Sequence, residues 1–505
     1  MVRSFRTLIL NISCAVVLIV SLSLFPGTAA AQGAGRVVIG IPTPPTTFQP
    51  YYFSIAFYHL YNQLYNVLVR LDQSQRPQPE LAESWDISAD GLTMTLRLRQ
   101  GVKFHSGRDF TAQDVKRSHA RATTPEIHAN SKPLFLTIRE VEVVNRSTVR
   151  LHFKGPNPAI FDLLDQFWII DDDLYEKSTT QPIGTGPFTL KEYRPGDKIV
   201  LQPFKNYWKP GKPRLDEVEY RIVADAQALM LGLESGTLDA MGQVNVKDAE
   251  RLERAGFAVD VASEGILYNV MFNTKEGRFT NKKLRQVFVH ATNRDRFIRV
   301  VLAGKARPLC LPWIPTSFAY DAKFEGTCDY NLAKAKQLLT EAGYPNGLDV
   351  TLYTSTQWYY GMSKLAELLQ ADLKTIGINV KIEDVDTAEY VKRHNNLGYE
   401  VIMSLTGRVN RDPSTMLTTT STMRAQDNAA GYQNPQFIEL VNQTTTTVDP
   451  EKRRRLFSEI NRIIREDFYT MPVSTSPFLF AYNRKLKNVP YSLDGFVYLE
   501  DAAAR

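Results

Sequence analysis

Apolar residues follow two distinct spacings from residue 36 to the end of the chain. The run at 36–41 is nearly continuous, as in a buried strand, whereas residues 92–98 alternate apolar and polar side chains, as in a strand with one solvated face. Further strands are predicted at 141–144, 148–153, 215–222, 349–354 and 379–385. Helices are predicted at 226–235, 284–302, 331–342, 361–376 and 452–466, and one more begins at Thr111. Strands that alternate with helices favour layers of α/β structure.

The length of the chain indicates its domain organisation. A chain of 505 residues is too long for one hydrophobic core, so two or three domains are expected. Neither an internal repeat nor a low-complexity linker separates the predicted elements. We therefore expect domains that are joined by paired crossings of the chain.

The first 31 residues have the pattern of a secretory signal peptide. Arg3 and Arg6 precede an apolar stretch at 8–25, and a proline–glycine pair ends this stretch before the small residues at 28–31. A membrane anchor is the alternative, but the polar residues within the stretch and the small residues after it favour cleavage. No later segment has the ~18 apolar residues that a membrane-spanning helix needs. The sequence therefore predicts a secreted, periplasmic protein.

Charge and motifs exclude several classes of function. The formal net charge is +6, and loss of Arg3 and Arg6 with the signal peptide leaves +4, too little to indicate a nucleic-acid partner. The sequence has neither a Gly-x-Ser-x-Gly nor an HExxH motif, so a secreted hydrolase is disfavoured and we expect no enzyme activity. The seven histidines lack HxxxH and HxH spacing, and we expect neither a metal nor another cofactor.

Two cysteines remain once the signal peptide, which contains Cys14, is removed. Cys310 and Cys328 would then be the only pair in an oxidising compartment, where a disulfide persists. Closing a loop of this size stabilises a protein by roughly 3 kcal/mol in the chain-entropy model. We predict this disulfide, with two free thiols as the alternative.

Motifs in a fixed order along the chain point to one family. They lie at 79–91, 96–107 and 111–115, at 182–188, 206–208 and 212–218, at 272–274, 283–287 and 291–294, and at 330–339 and 342–344. Each motif is weak alone, but the ordered set resembles extracellular solute-binding protein family 5, the peptide-, nickel- and opine-binding proteins of ABC importers. The resemblance extends from about residue 36 to the C-terminus.

This resemblance implies an α/β, two-lobed periplasmic-binding-protein fold of type II, similar to cluster C, with an extra N-terminal α/β domain and a central ligand cleft. Lobe I is expected at 32–60, 183–268 and 478–505, the extra domain at 61–182, and lobe II at 269–477. The crossings near residues 268 and 477 would form the hinge about which the lobes close over a ligand.

The resemblance also implies partners. A monomeric protein would bind a small-molecule ligand and deliver it to an inner-membrane ABC permease with its ATPase subunits. A periplasmic sensor or chaperone that presents the ligand to a membrane receptor is the alternative, which the sequence does not separate from transport.

Two signature segments have structural rather than chemical interpretations. The glycine-rich segment 184–188 is interpreted as a tight turn before a strand, since Pro187 blocks the helix that a phosphate-binding loop would need. His105 is interpreted as a hydrogen-bonded turn histidine, with a metal ligand as the alternative.

Two aromatic clusters stand at positions that match the cleft of the family. One is Tyr51-Tyr52-Phe53, and the other is Trp358-Tyr359-Tyr360. We predict ligand contacts for Tyr52, Phe53, Trp358, Tyr359 and Tyr360, because ligand pockets are mostly aromatic with a few polar anchors. Core packing or exposure to solvent is the alternative for each cluster.

One departure from the family pattern concerns the charge of the pocket. Peptide-binding members carry an aspartate shortly before an Asp-Pro pair, and this aspartate pairs with the peptide's amino terminus. Arg408 stands at about that position here, and Arg411 follows three residues later. Because arginine binds carboxylate or phosphate with two hydrogen bonds, we predict that Arg408 and Arg411 contact an anionic or strongly hydrogen-bond-accepting ligand. Candidates are an opine or sugar-phosphate conjugate, a modified peptide or a metal chelate. The alternative is that Arg408 points to solvent or pairs with Asp412, which we expect to cap or brace the loop before Pro413.

Overall fold

The computed structural model describes residues 35–43, 45, 47–51, 58–127, 132–356 and 360–504, so the predicted signal peptide lies outside the described residues. The strands are β1 (Arg36–Ile41), β2 (Val69–Leu71), β3 (Pro77–Pro79), β4 (Ala82–Ile87), β5 (Thr93–Leu98), β6 (Ile138–Asn145), β7 (Thr148–Phe153), β8 (Phe188–Arg194), β9 (Lys198–Pro203), β10 (Glu217–Ile222), β11 (Ala240–Gly242), β12 (Ala258–Phe272), β13 (Leu348–Thr354), β14 (Ile378–Asp384), β15 (Val401–Gly407), β16 (Thr470–Tyr482), β17 (Leu486–Lys487) and β18 (Ala503–Ala504).

The described residues also form α-helices and three 3-10 helices, the latter at Asp172–Thr179, Arg278–Thr280 and Ala322–Cys328. In chain order, the α-helices are α1 (Tyr58–Leu64), α2 (Ala112–Ala122), α3 (Lys132–Phe135), α4 (Ile160–Leu164), α5 (Ala226–Glu234), α6 (Val246–Arg254), α7 (Lys282–Ala291), α8 (Arg294–Val301), α9 (Leu332–Glu341), α10 (Tyr360–Lys374), α11 (Thr387–Asn395), α12 (Pro413–Thr419), α13 (Pro435–Thr446) and α14 (Pro450–Asp467). Among the described residues, no helix has both the length and the apolar character needed to cross a bilayer.

One mixed sheet connects most of the protein. In the described part of the chain it has ten strands, in the order β14-β13-β15-β12-β16-β11-β1-β10-β9-β8. Strands β12 and β16 are 15 and 13 residues long and pair antiparallel in its middle. The carboxyl-terminal part of β12 also pairs with β15, whereas the carboxyl-terminal part of β16 pairs with β11. The two long strands therefore belong to both halves of the sheet.

The buried apolar side chains form two large cores. The first core contains buried residues from Val37 to Ala262 and from Phe480 to Ala502. The second core contains buried residues from Leu267 to Val473. The chain passes between these cores within β12 and β16, and the predicted crossings at 268 and 477 lie inside these two strands. The domain boundaries themselves stay a prediction.

A smaller antiparallel sheet packs into the first core. Its strands lie in the order β4-β5-β7-β6, and α2 contacts this sheet. Met94, Leu96 and Leu98 of β5 are buried and alternate with less buried residues, which confirms the predicted half-solvated strand. The predicted start of α2 at Thr111 is also confirmed, because Thr111 and Asp114 form a capping box.

The prediction of one long helix at 284–302 is wrong. The structure has two helices, α7 and α8, which are separated at Thr292 and Asn293. The Asn293 side chain accepts a hydrogen bond from the backbone amide of Arg296 and thereby caps α8. The apolar spacing continues across this break, so periodicity alone does not detect it.

The glycine-rich segment 184–188 is a structural turn, as predicted. A Cβ atom on Gly184 would lie 2.1 Å from the carbonyl oxygen of Leu64, so only glycine permits this approach to the end of α1. The His105 ring contacts the same turn through the amide of Gly184 and the carbonyl of Gly186. Burial lowers the pKa of His105 to about 4. Two family motifs thus hold each other in place.

A disulfide lies in the second core. Cys310 and Cys328 are bonded, with Cα atoms 5.7 Å apart, and both residues are buried. We expect the substitution of both cysteines by serine to lower the free energy of unfolding by about 3 kcal/mol. The disulfide closes a loop between residues 18 apart in sequence, and without it the unfolded chain regains the conformational entropy that loop closure removes. Urea denaturation of the variant and of the oxidised wild type measures this difference. Equal free energies, or two thiols titrating in the native wild type, would contradict the expected bond.

Candidate ligand-binding site

Arg408 lies where the two cores meet. It follows β15, whose last residue Gly407 is paired with Ile266 of β12 close to the crossing. Its backbone has φ of 65°, a left-handed conformation that is uncommon for a residue other than glycine and that seven other described residues share. The side chain is half-buried, and it forms no ion pair or hydrogen bond with another described residue. Arg408 is therefore a cation whose hydrogen-bonding capacity is unused by the protein.

Arg411 is already paired with carboxylates of the protein. Its side chain is 3% exposed, and its guanidinium binds Asp165 at 2.6 Å and also Asp494. These carboxylates are 246 and 83 residues away along the chain, so the pairing was not visible in the sequence. Because both terminal nitrogens are used, we do not propose Arg411 as a ligand contact.

Asp412 has the capping role that the sequence predicted. Its carboxylate accepts a hydrogen bond from the backbone amide of Ser414 at 2.9 Å and so caps α12. The same carboxylate pairs with Arg453 at 2.8 Å. Asp412 thus neutralises Arg453, and the alternative pairing of Arg408 with Asp412 is not found.

Two buried carboxylates face this loop from the side of the first core. Asp162 lies in α4, and Asp165 follows the last residue of α4. Burial raises the pKa of each carboxyl to about 6, although the positive charge of Arg411 acts in the opposite direction on both. The charge of Arg408 also lowers the pKa of Asp162 without forming an ion pair. The junction therefore contains ionised carboxylates that are only partly compensated.

The predicted aromatic contacts fall mostly outside the described residues. Tyr51 is fully buried and donates a hydrogen bond to the Trp168 carbonyl, so it belongs to the first core. Tyr52, Phe53, Trp358 and Tyr359 lie outside the described residues, and Tyr360 is described only as the first residue of α10. Ligand contact by these five residues stays a prediction.

An apolar cavity of about 40 Å³ lies at the carboxyl end of β1. Its walls include aromatic side chains from several remote segments, which the sequence analysis did not identify: Tyr220, Phe478, Phe480 and Phe496. Pro42 and Thr43, which follow β1, also line the cavity. The cavity is therefore a candidate for the apolar part of a ligand site on the first core.

Within the described ranges, no three His, Cys, Asp or Glu side chains are grouped in a way that would hold a metal ion. The structure offers two candidate features, the half-buried Arg408 and an apolar cavity that Arg408 does not line. An anionic or accepting group suits the first feature, and an apolar group suits the second.

Replacing Asp162 by asparagine is expected to stabilise the protein at neutral pH. The pKa of Asp162 is about 6 in the folded protein, compared with the ordinary value of 3.8. Protonation of this carboxyl therefore favours the folded state. Its contribution to the free energy of unfolding is fully present below about pH 3.8 and is lost as the pH rises through 6. Asparagine keeps an acceptor for the Asp412 amide and removes the buried charge. We expect a gain of about 1–3 kcal/mol near pH 7.5 and almost none near pH 4.

Urea unfolding at both pH values tests this expectation. The variant Asp86→Asn is the control, because that carboxylate is exposed and pairs with Arg97 at the surface. A loss of stability at pH 7.5, or an equal gain at both pH values, would show that Asp162 is not held in an unfavourable ionised state.

Comparison with known proteins identifies the family. Residues 76–428 match the profile of the bacterial extracellular solute-binding proteins, family 5 Middle. The glutathione-binding protein GsiB of Salmonella typhi is 29% identical over 483 residues, which cover 92% of this chain and 93% of that protein.

Solved structures agree with this assignment. The periplasmic binding protein DppA of Helicobacter pylori, in complex with the peptide STSA, is 27% identical with a TM-score of 0.74, covering 93% of this chain and 98% of that one. AgaA of A. tumefaciens R10, in complex with agropinic acid, is 25% identical with a TM-score of 0.74, covering 93% and 99%. The predicted two-lobed α/β fold and substrate-binding role are thereby confirmed. The chain belongs to family 5 of the bacterial extracellular solute-binding proteins and is the substrate-binding protein of an ABC importer.

Proposed function

We propose that this protein captures a small organic anion in the periplasm and that Arg408 contacts an anionic group of that ligand. Delivery of the ligand to the permease follows from membership of the family. The observation that carries the proposal is the half-buried guanidinium of Arg408, which has no acceptor among the described residues.

The charge balance around Arg408 supports this choice of ligand. Arg411 and Arg453 are each neutralised by protein carboxylates, whereas Arg408 is not. A guanidinium binds a carboxylate or phosphate through two parallel hydrogen bonds, and such charge-assisted bonds are stronger than neutral ones. An ammonium group placed against Arg408 would instead be repelled. A peptide recognised mainly through its amino terminus is therefore disfavoured at this position.

Two of the ligands named for similar proteins are consistent with the proposal, whereas the peptide STSA of the DppA complex belongs to the class that the proposal disfavours. GsiB is a glutathione-binding protein, and AgaA was solved with agropinic acid. Both compounds carry carboxylate groups on a small organic framework. Glutathione is also a peptide in which one linkage uses a side-chain carboxyl, and it therefore presents a carboxylate at each end. We propose this class, comprising glutathione-like peptides and opine-like acids, as the substrate class.

The predicted environment and assembly of the protein belong to the same proposal. We propose that residues 1–31 direct export and are removed, and that the mature protein acts as a monomer without enzyme activity. The exposed large apolar residues of the described chain are spread from residue 87 to residue 448, and Ile87, Leu231 and Val300 among them lie on β4, α5 and α8. Scattered apolar residues of this kind do not require a subunit interface.

Titration calorimetry with glutathione, agropinic acid and the dipeptide Met-Leu tests the ligand class. We expect Arg408→Ala to weaken binding of the preferred acid by about 10–100-fold, because a hydrogen bond to a charged group contributes ~1.5–3 kcal/mol. Arg408→Lys should give an intermediate loss, since lysine keeps the charge but not the paired donors.

Arg454→Ala is the matched control. Arg454 lies on α14, is largely exposed and pairs with Glu451, so its removal should leave affinity unchanged. Unchanged affinity in Arg408→Ala would remove Arg408 from the site. Tighter binding of Met-Leu than of either acid would contradict the proposed substrate class.

A further inference from the structure

The loop at 408–412, here called the junction loop, connects the two cores. Val409 and Met416 on either side of its polar residues pack into the second core. The polar groups between them bind residues of the first-core side. The Arg411 guanidinium pairs with Asp165 and Asp494. The side-chain amide of Asn410 donates to the Leu493 carbonyl, and the backbone amide of Asp412 donates to the Asp162 carboxylate at 3.0 Å. Three consecutive residues of one loop therefore bind α4 and the 493–494 turn at once.

The fit between the loop and the crossing strand is close. A Cβ atom on Gly265 of β12 would lie 2.7 Å from the Asn410 side chain, so the absence of a side chain at Gly265 makes room for Asn410. The Ser263 hydroxyl, on the same strand, donates to the Leu493 carbonyl. The loop thus docks at the point where β12 passes between the cores.

Other ion pairs between the two sides are exposed. Lys305 pairs with Glu253, and Arg307 pairs with Glu264, but in each pair one side chain is more than a third exposed. The Arg411 cluster differs, since Arg411 and Asp165 are 3% and 5% exposed. Water and salt screen the exposed pairs, so their loss costs little free energy. Loss of one partner from a buried ion pair destabilises the folded arrangement strongly, because an uncompensated charge stays buried. The Arg411 cluster is therefore the contact most sensitive to separation of the cores.

We propose that this structure is the closed arrangement of the two lobes and that the junction loop is the latch that holds it, with Arg411 as the residue that fastens it. Arg411 is then a positioning residue, because its backbone amide donates to the carbonyl of Arg408 at 3.1 Å and ties the latch to the proposed ligand contact. Closure of the lobes and orientation of Arg408 are thereby coupled. This inference rests on the proposed function for the role of Arg408, whereas the latch itself does not.

Each carboxylate of the latch has charged neighbours from more than one element of the structure. Asp165 faces Arg411, Asp494 and the ring of Tyr498, and Asp162 faces Arg411, Arg408 and Asp412. Arg453 approaches from α14 and is bonded to Asp412 within the second core. Opening the junction would return Asp162, Asp165 and Arg411 to water, so removal of one partner in the closed state shifts the balance toward opening.

Distance measurement between the lobes tests the latch without any ligand. Spin labels on Lys205→Cys and Glu439→Cys, which replace exposed residues on the first-core and second-core sides, report the inter-lobe distance by double electron–electron resonance. We expect Arg411→Gln and Asp494→Asn to increase the fraction of protein at the longer distance. With glutathione as the ligand, both should also raise the dissociation rate about 10-fold.

Glu500→Gln is the matched control. Glu500 is a buried carboxylate six residues after Asp494, but its partners Arg70 and Lys209 lie on the same side as itself. It should lower stability while leaving the inter-lobe distance unchanged. If Arg411→Gln does not fold, Asp494→Asn decides the result, since it leaves the Arg411–Asp165 pair in place.

An unchanged distance distribution in the variants that fold would overturn the latch. Such a result combined with weaker ligand binding by Arg408→Ala would leave the proposed function standing. A shifted distribution with normal binding by Arg408→Ala would support the latch and reject Arg408 as the anion contact.

Discussion

The antiparallel pairing of β12 with β16 is the interaction on which the rest of the structure depends. These two strands are the route by which the chain passes between the cores, so the connection is a hydrogen-bonded ladder and not a flexible linker. The ladder is irregular, with register shifts between Val261 and Ser263, between Ser263 and Ile266, and between Tyr268 and Asn269. Such irregularities bend a strand and increase its twist. Bending is therefore concentrated where the two cores meet, and the junction loop docks beside it.

Buried charge at this junction favours one relative position of the cores over others by several kcal/mol. An exposed ion pair between two domains contributes ~0–1 kcal/mol, which permits many arrangements of nearly equal energy. Breaking a buried pair costs about 3–5 kcal/mol, because one charge is left without a partner in a poorly solvated site. Arg411 is such a case, with Asp165 and Asp494 both contributed from the first-core side. The pairing is made in the arrangement of this structure, and the proposed latch requires that it be lost when the cores separate.

Several local elements were predictable from sequence, although the break between α7 and α8 was not, and the strands that join the two cores were missed. The capping box at Thr111 and the alternation in β5 depend only on residues that are close together in sequence, so their prediction succeeded. Strands β12 and β16 were missed because glycine, proline and polar residues interrupt their apolar pattern. Pro472 and Pro477 lie where the register of β16 shifts, which is where a residue without an amide hydrogen is tolerated in a ladder.

The site was predictable only in part, for a related reason. Position 408 could be found by matching motifs, because its neighbours Asp412 and Pro413 form a recognisable helix start. Arg411 has carboxylate partners and Arg408 has none in the described part of the chain, because the fold brings Asp165, at the end of α4, and Asp494 next to Arg411. Two arginines three residues apart therefore look equivalent in sequence, although one is neutralised by the protein and the other is not.

The acids at the junction limit how stable the closed arrangement can be. A transport protein must release its ligand, and a ligand shifts the lobes only by the difference in its affinity for the two arrangements. Asp162 and Asp165 have a pKa of about 6 in the buried site, so at neutral pH both are ionised at a cost that opening would relieve. Arg411 offsets part of this cost, and the remainder opposes closure. Arg411 and the ionised acids thus act in opposite directions on closure of the proposed latch, which keeps the free-energy difference between the two arrangements within the range that a ligand can shift.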